Sequence, residues 1–309
     1  IDINSSKRYY AAKMRDYIGR LKREITERNI EILISFIVRT NVSAIIACRK
    51  IGIPVIVSER NNPYLIPANF ILRAVRNVAY RYADGIVFQT AYARNYFCKK
   101  IKRNSRIIMN PMSEAIGSSV EFEKKDNIII SACRLEPQKN VPLLIEAFEM
   151  INKDIPQYKL HIYGEGTERN RIDTIIKQKN LTDKIFLMGR SDDVIKKIAE
   201  AKIFVLSSDF EGLSNALMEA MCVGTACVAT DSPTYGNRDI ISDGYNGFLV
   251  PVGNANLLAE KILELAEDNG LLKFFSNSAK KLSDRTNCTK VADDWEDYIN
   301  KIVEGRMIK

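Results

Sequence analysis

The stretch DFEGLSNALMEA, residues 209–220, places one carboxylate at Glu211 and a second at Glu219, with Gly212, Leu213, Ser214 and Asn215 between them. A strand-like run precedes the stretch and a helix pattern begins near Ser214. Glu211 therefore falls in a loop just before a helix N-terminus, and Glu219 falls inside that helix. The exposed N–H groups and dipole of such a terminus favour an anion by about 0.3–1 kcal/mol. Two carboxylates beside a bound phosphate would oppose it unless they face something else. Ionised carboxylates only accept hydrogen bonds, and sugar hydroxyls donate them. Glu211 and Glu219 could thus grip two sets of hydroxyls with a diphosphate between, which is the layout of a nucleotide sugar. The plain alternatives are dipole compensation for Glu211 and a solvated helix face for Glu219.

Cations suited to such a ligand occur earlier. Arg134 and Lys139 flank LEPQ, just before a helix start marked by Asn140 and Pro142. Arginine supplies a planar fork and lysine a point charge, and together they suit a diphosphate; a solvated cation pair at a loop is the alternative. Gly164 and Gly166 can let backbone approach a ligand closely. A lone G-x-G is weak evidence, and the dinucleotide fingerprint is absent because no G-x-x-G continues it. Gly189-Arg190 and Asp231 each follow a further apolar run. The single histidine, His161, sits in the middle of KLHIYG and reads as a packed strand residue. There is no D-x-D or H-E-x-x-H, and Asp192-Asp193 read as a loop or helix cap, so no metal is expected.

The elements that must position these residues alternate along nearly the whole chain. Residues 31–38, 54–58, 85–89 and 106–109 read as strands, continuous and rich in Ile and Val as parallel strands covered on both faces should be. Helix patterns cover 7–29, 41–51, 66–82 and 91–102. After a polar linker at 117–126, a second series places strands at 127–132, 159–164, 184–188, 202–207, 226–230 and 247–251. Its helices fall near 141–152, 167–179, 191–200, 214–223 and 254–268. Two successive βα series imply two doubly wound α/β domains. The expected division is 1–112, 113–288 and a C-terminal helical segment 289–309. The first domain offers about four strands and opens on a helix, so an N-terminal part of it is expected to lie outside this chain. Ligands of open α/β sheets bind outside the carboxyl ends of the strands. Arg134, Lys139, Gly164, Arg190, Asp209, Glu211 and Asp231 all follow strands of the second series, and that convergence says more than any single motif.

Bulk properties narrow the class. The chain has 309 residues, 46% hydrophobic and 27% charged, with six scattered cysteines and no C-x-x-C. That fits a globular protein of about two domains with reduced thiols in a cytoplasmic setting. No run approaches the ~18 apolar residues of a membrane span. The net charge of +8 is unevenly spread: residues 1–111 carry +14 and residues 112–309 carry −6. The basic half is expected to meet something anionic. The stretches 7–28 and 94–106 hold much of that charge and point to peripheral binding at the inner face of a membrane. No basic-aromatic interleaving of a nucleic-acid binder is present.

Glu211 and Glu219 form an E-x7-E motif, and the chain resembles the retaining GT-B glycosyltransferases, glycosyltransferase family 4. The likeness covers most of 31–268 and includes SACRLEPQKN, LHIYGEGTERNRI, DFEGLSNALMEAM and SDGYNGFLVPVGN. It implies two Rossmann-like domains of the GT-B kind and a nucleotide-diphosphate sugar, expected to be a UDP-sugar, as donor substrate with no cofactor. It implies that Arg134 and Lys139 bind the donor diphosphate, that Glu211 contacts donor-sugar hydroxyls and that the backbone near Gly212, Leu213, Ser214 and Asn215 meets sugar or phosphate. Glu219 would bind the ribose, Arg190 would lie by the base, and residues 289–304 would return to the first domain. Two departures stand out. The N-terminal glycine-rich loop of the family is absent from this chain, and SERNNP (58–63) stands where many members carry an acceptor-side histidine. Glu59, Arg60 and Asn61 are the acceptor-side candidates there, and SERN resembles members that build bacterial surface polysaccharides. The acceptor implied is a lipid-linked or glycan hydroxyl. A non-catalytic nucleotide-sugar binding module, or an inactive fragment of such an enzyme, remains the second reading, and a nucleotide-sugar epimerase a third that the scarcity of acid/base groups disfavours.

Overall fold

The computed structural model describes residues 3–112, 120–233 and 236–307. The chain forms two compact units, Ile1–Met109 with Val291–Lys309, and Asn110–Lys290.

The first unit contains α1 (Ile3–Glu27), β1 (Leu33–Phe36), α2 (Val38–Ile51), β2 (Val55–Glu59), α3 (Phe70–Ala79), β3 (Gly85–Phe88), α4 (Ala91–Asn95), α5 (Lys99–Arg103) and β4 (Ser105–Ile107). Its four strands are parallel and lie in chain order. Every residue of β2 and β3 is buried, as their unbroken apolar runs require. Two helix expectations need correction. The helix read over 66–82 begins at Phe70. Pro63 and Pro67 keep the preceding chain out of helix, and the Asn69 side chain accepts from the N–H groups of Ile71 and Leu72. The helix read over 91–102 is two short helices, α4 and α5. The break at 96–98 turns Phe97 into the core, where its ring lies 5.6 Å from Tyr80 and 5.1 Å from Phe88.

The second unit contains β5 (Asp126–Ala132), α6 (Val141–Ile151), β6 (Lys159–Tyr163), α7 (Arg169–Gln178), β7 (Ile185–Gly189), α8 (Val194–Glu200), β8 (Ala201–Leu206), α9 (Asn215–Cys222), β9 (Ala226–Asp231), β10 (Phe248–Pro251), α10 (Ala255–Glu267), α11 (Asn269–Lys280) and α12 (Ser283–Thr286). Most of the linker read at 117–126 is described only from residue 120; a short 3-10 turn at Phe122–Lys124 leads into β5. The six strands are parallel in the order β10-β9-β8-β5-β6-β7. From β5 the chain steps outward to β6 and β7, then returns to β8 on the other side of β5 and continues to β9 and β10. The order therefore reverses between β5 and β8. Leu144 and Phe148 of α6, Leu258 and Ile262 of α10, and Leu272 and Phe275 of α11 are fully buried in one core with the sheet. Truncating one such side chain to alanine costs roughly 2–5 kcal/mol, so the sheet is a rigid base for the loops at its rim.

The last helix, α13 (Cys288–Met307), belongs from Val291 onward to the first unit. Val291 and Tyr298 pack with Ile56, Val87 and Ile108. Tyr298 Oη accepts from the Ile86 N–H at 2.8 Å and donates to the Asn104 carbonyl at 2.8 Å. Arg106 pairs with Asp294 at 3.1 Å. No helix among the described residues is long and apolar enough to cross a membrane.

Candidate functional site

The reversal of strand order fixes where the site chemistry gathers. The loops leaving the carboxyl ends of the neighbouring strands β5 and β8 lie at the switch point, the place where open α/β sheets bind ligands. Those loops are 133–140 and 207–214. They are stitched together from the strand ends outward. Ser207 Oγ donates to the Lys139 carbonyl at 3.0 Å, and the Asp209 N–H donates to the Gln138 carbonyl at 2.9 Å. Asn140 Nδ2 donates to Asp209 Oδ1 at 2.7 Å, and Gln138 Nε2 donates to the Phe210 carbonyl at 2.6 Å. Lys139 Nζ forms an ion pair with Glu211 Oε1, and Ser208 Oγ donates to the same oxygen at 2.8 Å. Lys139 and Glu211, 72 residues apart in sequence, thus meet directly.

Arg134 stands in the first of these loops, exposed and without an ion pair among the described residues. Its guanidinium is open to an anion. Leu213 and Ser214 are buried, so this stretch offers its backbone rather than its side chains to the surroundings. Ser214 caps α9 by accepting from the Leu217 N–H at 3.4 Å. Asn215 is exposed and accepts from Asn110 Nδ2 at 2.8 Å. Glu219 is half-buried on α9, and burial raises its carboxyl above the usual range.

The glycines act on protein backbone. A Cβ at Gly164, where φ is +127°, would lie 1.8 Å from the Cys133 carbonyl oxygen, and one at Gly166 would lie 2.3 Å from the Leu135 carbonyl oxygen. The 164–166 turn therefore lies flat on the 133–135 loop and bonds it, with the Leu135 N–H on the Glu165 carbonyl at 2.9 Å. These glycines hold the loop that carries Arg134. Arg190, after β7, is exposed. His161 is half-buried in β6, edge-on to Phe186 with ring centres 5.4 Å apart, and burial lowers its pKa.

The acceptor-side candidates do not stand alike. Glu59 ends β2 fully buried. Tyr80 Oη donates to it at 3.1 Å, the Asn61 N–H at 3.3 Å, and Arg76 Nη1 lies 3.6 Å away with no exposed side-chain surface. Desolvation lifts its carboxyl to about 7 against the pull of Arg76. Glu59 is built into the first unit as a core polar group. Arg60 and Asn61 are partly exposed; the Arg60 guanidinium lies 5.1 Å from the centre of the Phe36 ring, and burial lowers its pKa.

Sequence reasoning passed over several residues that shape this rim. Ser208 and Gln138 position Glu211 and the 209–210 backbone. Gly236 meets Gly212 so closely that a Cβ there would sit 1.6 Å from the Gly212 oxygen. Asn237 is buried and donates to the Thr230 carbonyl at 2.8 Å. Ser208 is the second residue after β8, so its place near the strand end was the available signal.

A doubly wound six-stranded sheet with Lys139 and Glu211 paired at its switch point, on a chain with a second parallel α/β unit, fits the GT-B class of glycosyltransferases. The chain belongs to the family "Glycosyl transferases group 1", whose model matches residues 113–282, and so falls among the transferase enzymes. It is similar to a Campylobacter jejuni protein named "GalNAc-alpha-(1->4)-GalNAc-alpha-(1->3)-diNAcBac-PP-undecaprenol alpha-1,4-N-acetyl-D-galactosaminyltransferase", with 29% identity across 91% of this chain and 78% of that protein. Among solved structures, it resembles S. aureus TarM in complex with fondaparinux, alpha-GlcNAc-glycerol and UDP, at 25% identity and a TM-score of 0.69, over 80% of this chain and 51% of TarM. Anabaena HepE, solved with UDP, shares the fold at 18% identity with a TM-score of 0.82 over 92% of this chain and 82% of HepE. The chain thus spans about half the length of TarM.

Proposed function

We propose that this chain is a retaining glycosyltransferase that moves a sugar from a UDP-sugar to a hydroxyl of a lipid-linked or polysaccharide acceptor. The observation that carries the reading is the meeting of Lys139 and Glu211 at the switch point of the second sheet, with Arg134 in the same loop as Lys139 and Glu219 on the helix that follows Glu211. Arg134 and Lys139 hold the diphosphate and offset the charge it gains as the bond to the sugar breaks. Both protein contacts to Glu211 fall on Oε1, so Oε2 is the oxygen that accepts from donor-sugar hydroxyls. Glu219 takes the ribose hydroxyls, Arg190 lies by the base, and the 212–215 backbone lines the phosphates. The C1–O bond to the diphosphate breaks while the acceptor oxygen bonds to C1 on the same face, and the acceptor proton passes to the departing phosphate oxygen. That route needs no separate general base, in keeping with a lone histidine packed in β6.

The C. jejuni relative is named for a PP-undecaprenol-linked glycan, and TarM was solved with UDP and alpha-GlcNAc-glycerol; both support this choice of substrates. An acceptor on a lipid carrier would bring the enzyme to the inner face of a membrane, and the basic charge of residues 1–111 suits an anionic leaflet there. The test is thermal stabilisation by a panel of nucleotides and nucleotide sugars, followed by NMR of the product anomer. Stabilisation by UDP and retention at the anomeric carbon are expected. Inversion would end the retaining assignment, and UDP binding without turnover on any lipid-linked or glycan acceptor would leave a binding module.

A further inference from the structure

We propose that Asn110 is a positioning residue of the donor site, setting the first turn of α9 through the Asn215 side chain, and that the segments where the chain enters and leaves the second unit together fix α9 at both ends. The inference rests on the reading above that the 212–215 backbone lines the phosphates of a nucleotide sugar.

The chain enters the second unit at Asn110 and leaves it at Lys290. At the point of entry, Asn110 Nδ2 donates to Asn215 Oδ1 at 2.8 Å. Asn215 is the first residue of α9, directly after the cap Ser214. The bonds of that helix begin further on. The Leu217 N–H reaches the Ser214 side chain, and the Met218 N–H reaches the Ser214 carbonyl at 3.1 Å. The Asn215 and Ala216 N–H groups therefore precede the helical ladder and face the N-terminal end, where an anion is favoured. A side-chain bond at Asn215 fixes the residue that carries the first of these donors.

Asn110 is itself held. Pro111 follows it, which keeps Asn110 in extended backbone and locks the next φ, so the place of Asn110 follows from that of Met112. Met112 is buried. Its N–H donates to the Thr286 carbonyl at 2.7 Å, and the Cys288 thiol donates to the Met112 carbonyl at 3.1 Å. The incoming and outgoing segments are thus joined in a short parallel bridge. The outgoing segment also reaches the far end of α9. Thr286 is fully buried and gives its hydroxyl hydrogen to the Leu282 carbonyl at 3.0 Å. The Cys222 thiol, 3.3 Å away on the last residue of α9, is therefore the donor to the Thr286 oxygen. Burial raises the pKa of that thiol, so it keeps the proton it donates. With only about two turns between these contacts, they decide where Glu219 and the N-terminal donors stand.

The experiment is a double-mutant cycle on the full chain, with UDP and uridine as probes and binding read by calorimetry. Asn110→Ala should weaken UDP binding about fivefold, the scale of one hydrogen bond. Uridine, which has no phosphate, should bind Asn110→Ala as it binds the wild type. Asn215→Ala should lose the same factor for UDP, and the double variant no more than either single one, because Asn110 acts through Asn215. Asn110 is half-buried and Asn215 exposed, and an unchanged melting temperature would show the variants folded. At the other end of α9, Thr286→Val removes the acceptor of the Cys222 thiol, whereas Thr286→Ser keeps it. Hydrogen exchange in α9 should be faster in Thr286→Val than in Thr286→Ser. Wild-type affinity for UDP in Asn110→Ala, equal losses for UDP and uridine, or equal exchange in the two Thr286 variants would overturn the proposal. So would losses that multiply to about 25-fold in the double variant, since the two side chains would then act independently. The two readings fail in different ways: a wild type that does not bind UDP sinks the donor assignment and this inference with it, and UDP binding that ignores Asn110 sinks the inference alone.

Discussion

Lys139 and Glu211 pair directly across the two loops that leave β5 and β8, and Ser208 donates to the same carboxylate oxygen. Both charged side chains are about nine-tenths buried. Removing one partner from such a pair strands the other charge away from water, which is more damaging than the pair is stabilising. Lys139→Met is therefore expected to destabilise the second unit by on the order of 3 kcal/mol, with faster hydrogen exchange in β5 and β8. Glu211→Gln strands the Lys139 ammonium in the same way, so it should cost stability on a similar scale and also abolish transfer. If Lys139→Met left exchange in both strands unchanged, the pair would not be what joins the loops.

Arg134 makes the contrasting case. It is exposed and makes no ion pair among the described residues, so Arg134→Ala should leave stability within about 0.5 kcal/mol. Turnover should fall by about 10²-fold or more, the scale of losing one donor to a developing anion. Near-normal turnover with intact folding would remove Arg134 from the phosphate site.

Gly164→Ala tests the support beneath Arg134. The added Cβ would need to occupy the space of the Cys133 carbonyl, at a φ of +127° that L side chains avoid. The 133–135 loop must move, at a cost of roughly 1–3 kcal/mol, and UDP stabilisation should weaken with it. Gly305→Ala is the control. Nothing lies within 4 Å of its Cβ position on α13, and alanine there should stabilise by up to about 1 kcal/mol. Equal melting temperatures for the two variants would contradict the packing argument.

These positions show what a sequence exposes and what it hides. Strands such as Val55–Glu59 and Ala201–Leu206 were legible because burial on both faces demands an unbroken apolar run. The meeting of 133–140 with 209–211 was legible because doubly wound topology brings loops after particular strands to one rim, whatever their separation in the chain. Phe97 was not legible as a helix break, since its partners Tyr80 and Phe88 come from other elements. Gly164 was read as room for a ligand, whereas the space it leaves is taken by the Cys133 carbonyl. Glu59 looked available beside Arg60 and Asn61. It is buried against Arg76 of α3, a charged residue whose burial the sequence alone did not show.

Glu59 gives the first unit a pH dependence whose sign can be worked out. Its ordinary carboxyl pKa is 4.5, and burial raises it to about 7 in the folded chain, although Arg76, Tyr80 and the Asn61 N–H all favour the ionised form. Between those values the native state binds more protons at this position than the unfolded state does, so the contribution of Glu59 to stability declines as pH rises from about 4.5 to about 7 and then levels off. Glu59→Gln keeps an acceptor for Tyr80 and has no proton to lose. It should flatten that slope while leaving the Pro63 and Ile66 contacts of Arg76 in place. Arg76→Met should do the opposite, removing the cation that holds the carboxylate's pKa down and pushing the titration higher, at a cost on the order of 3 kcal/mol. Urea unfolding of the three proteins at pH 5, 6, 7 and 8, read through the fluorescence of Trp295 in the first unit, measures both effects. Parallel slopes for the wild type and Glu59→Gln would show that another group carries the titration.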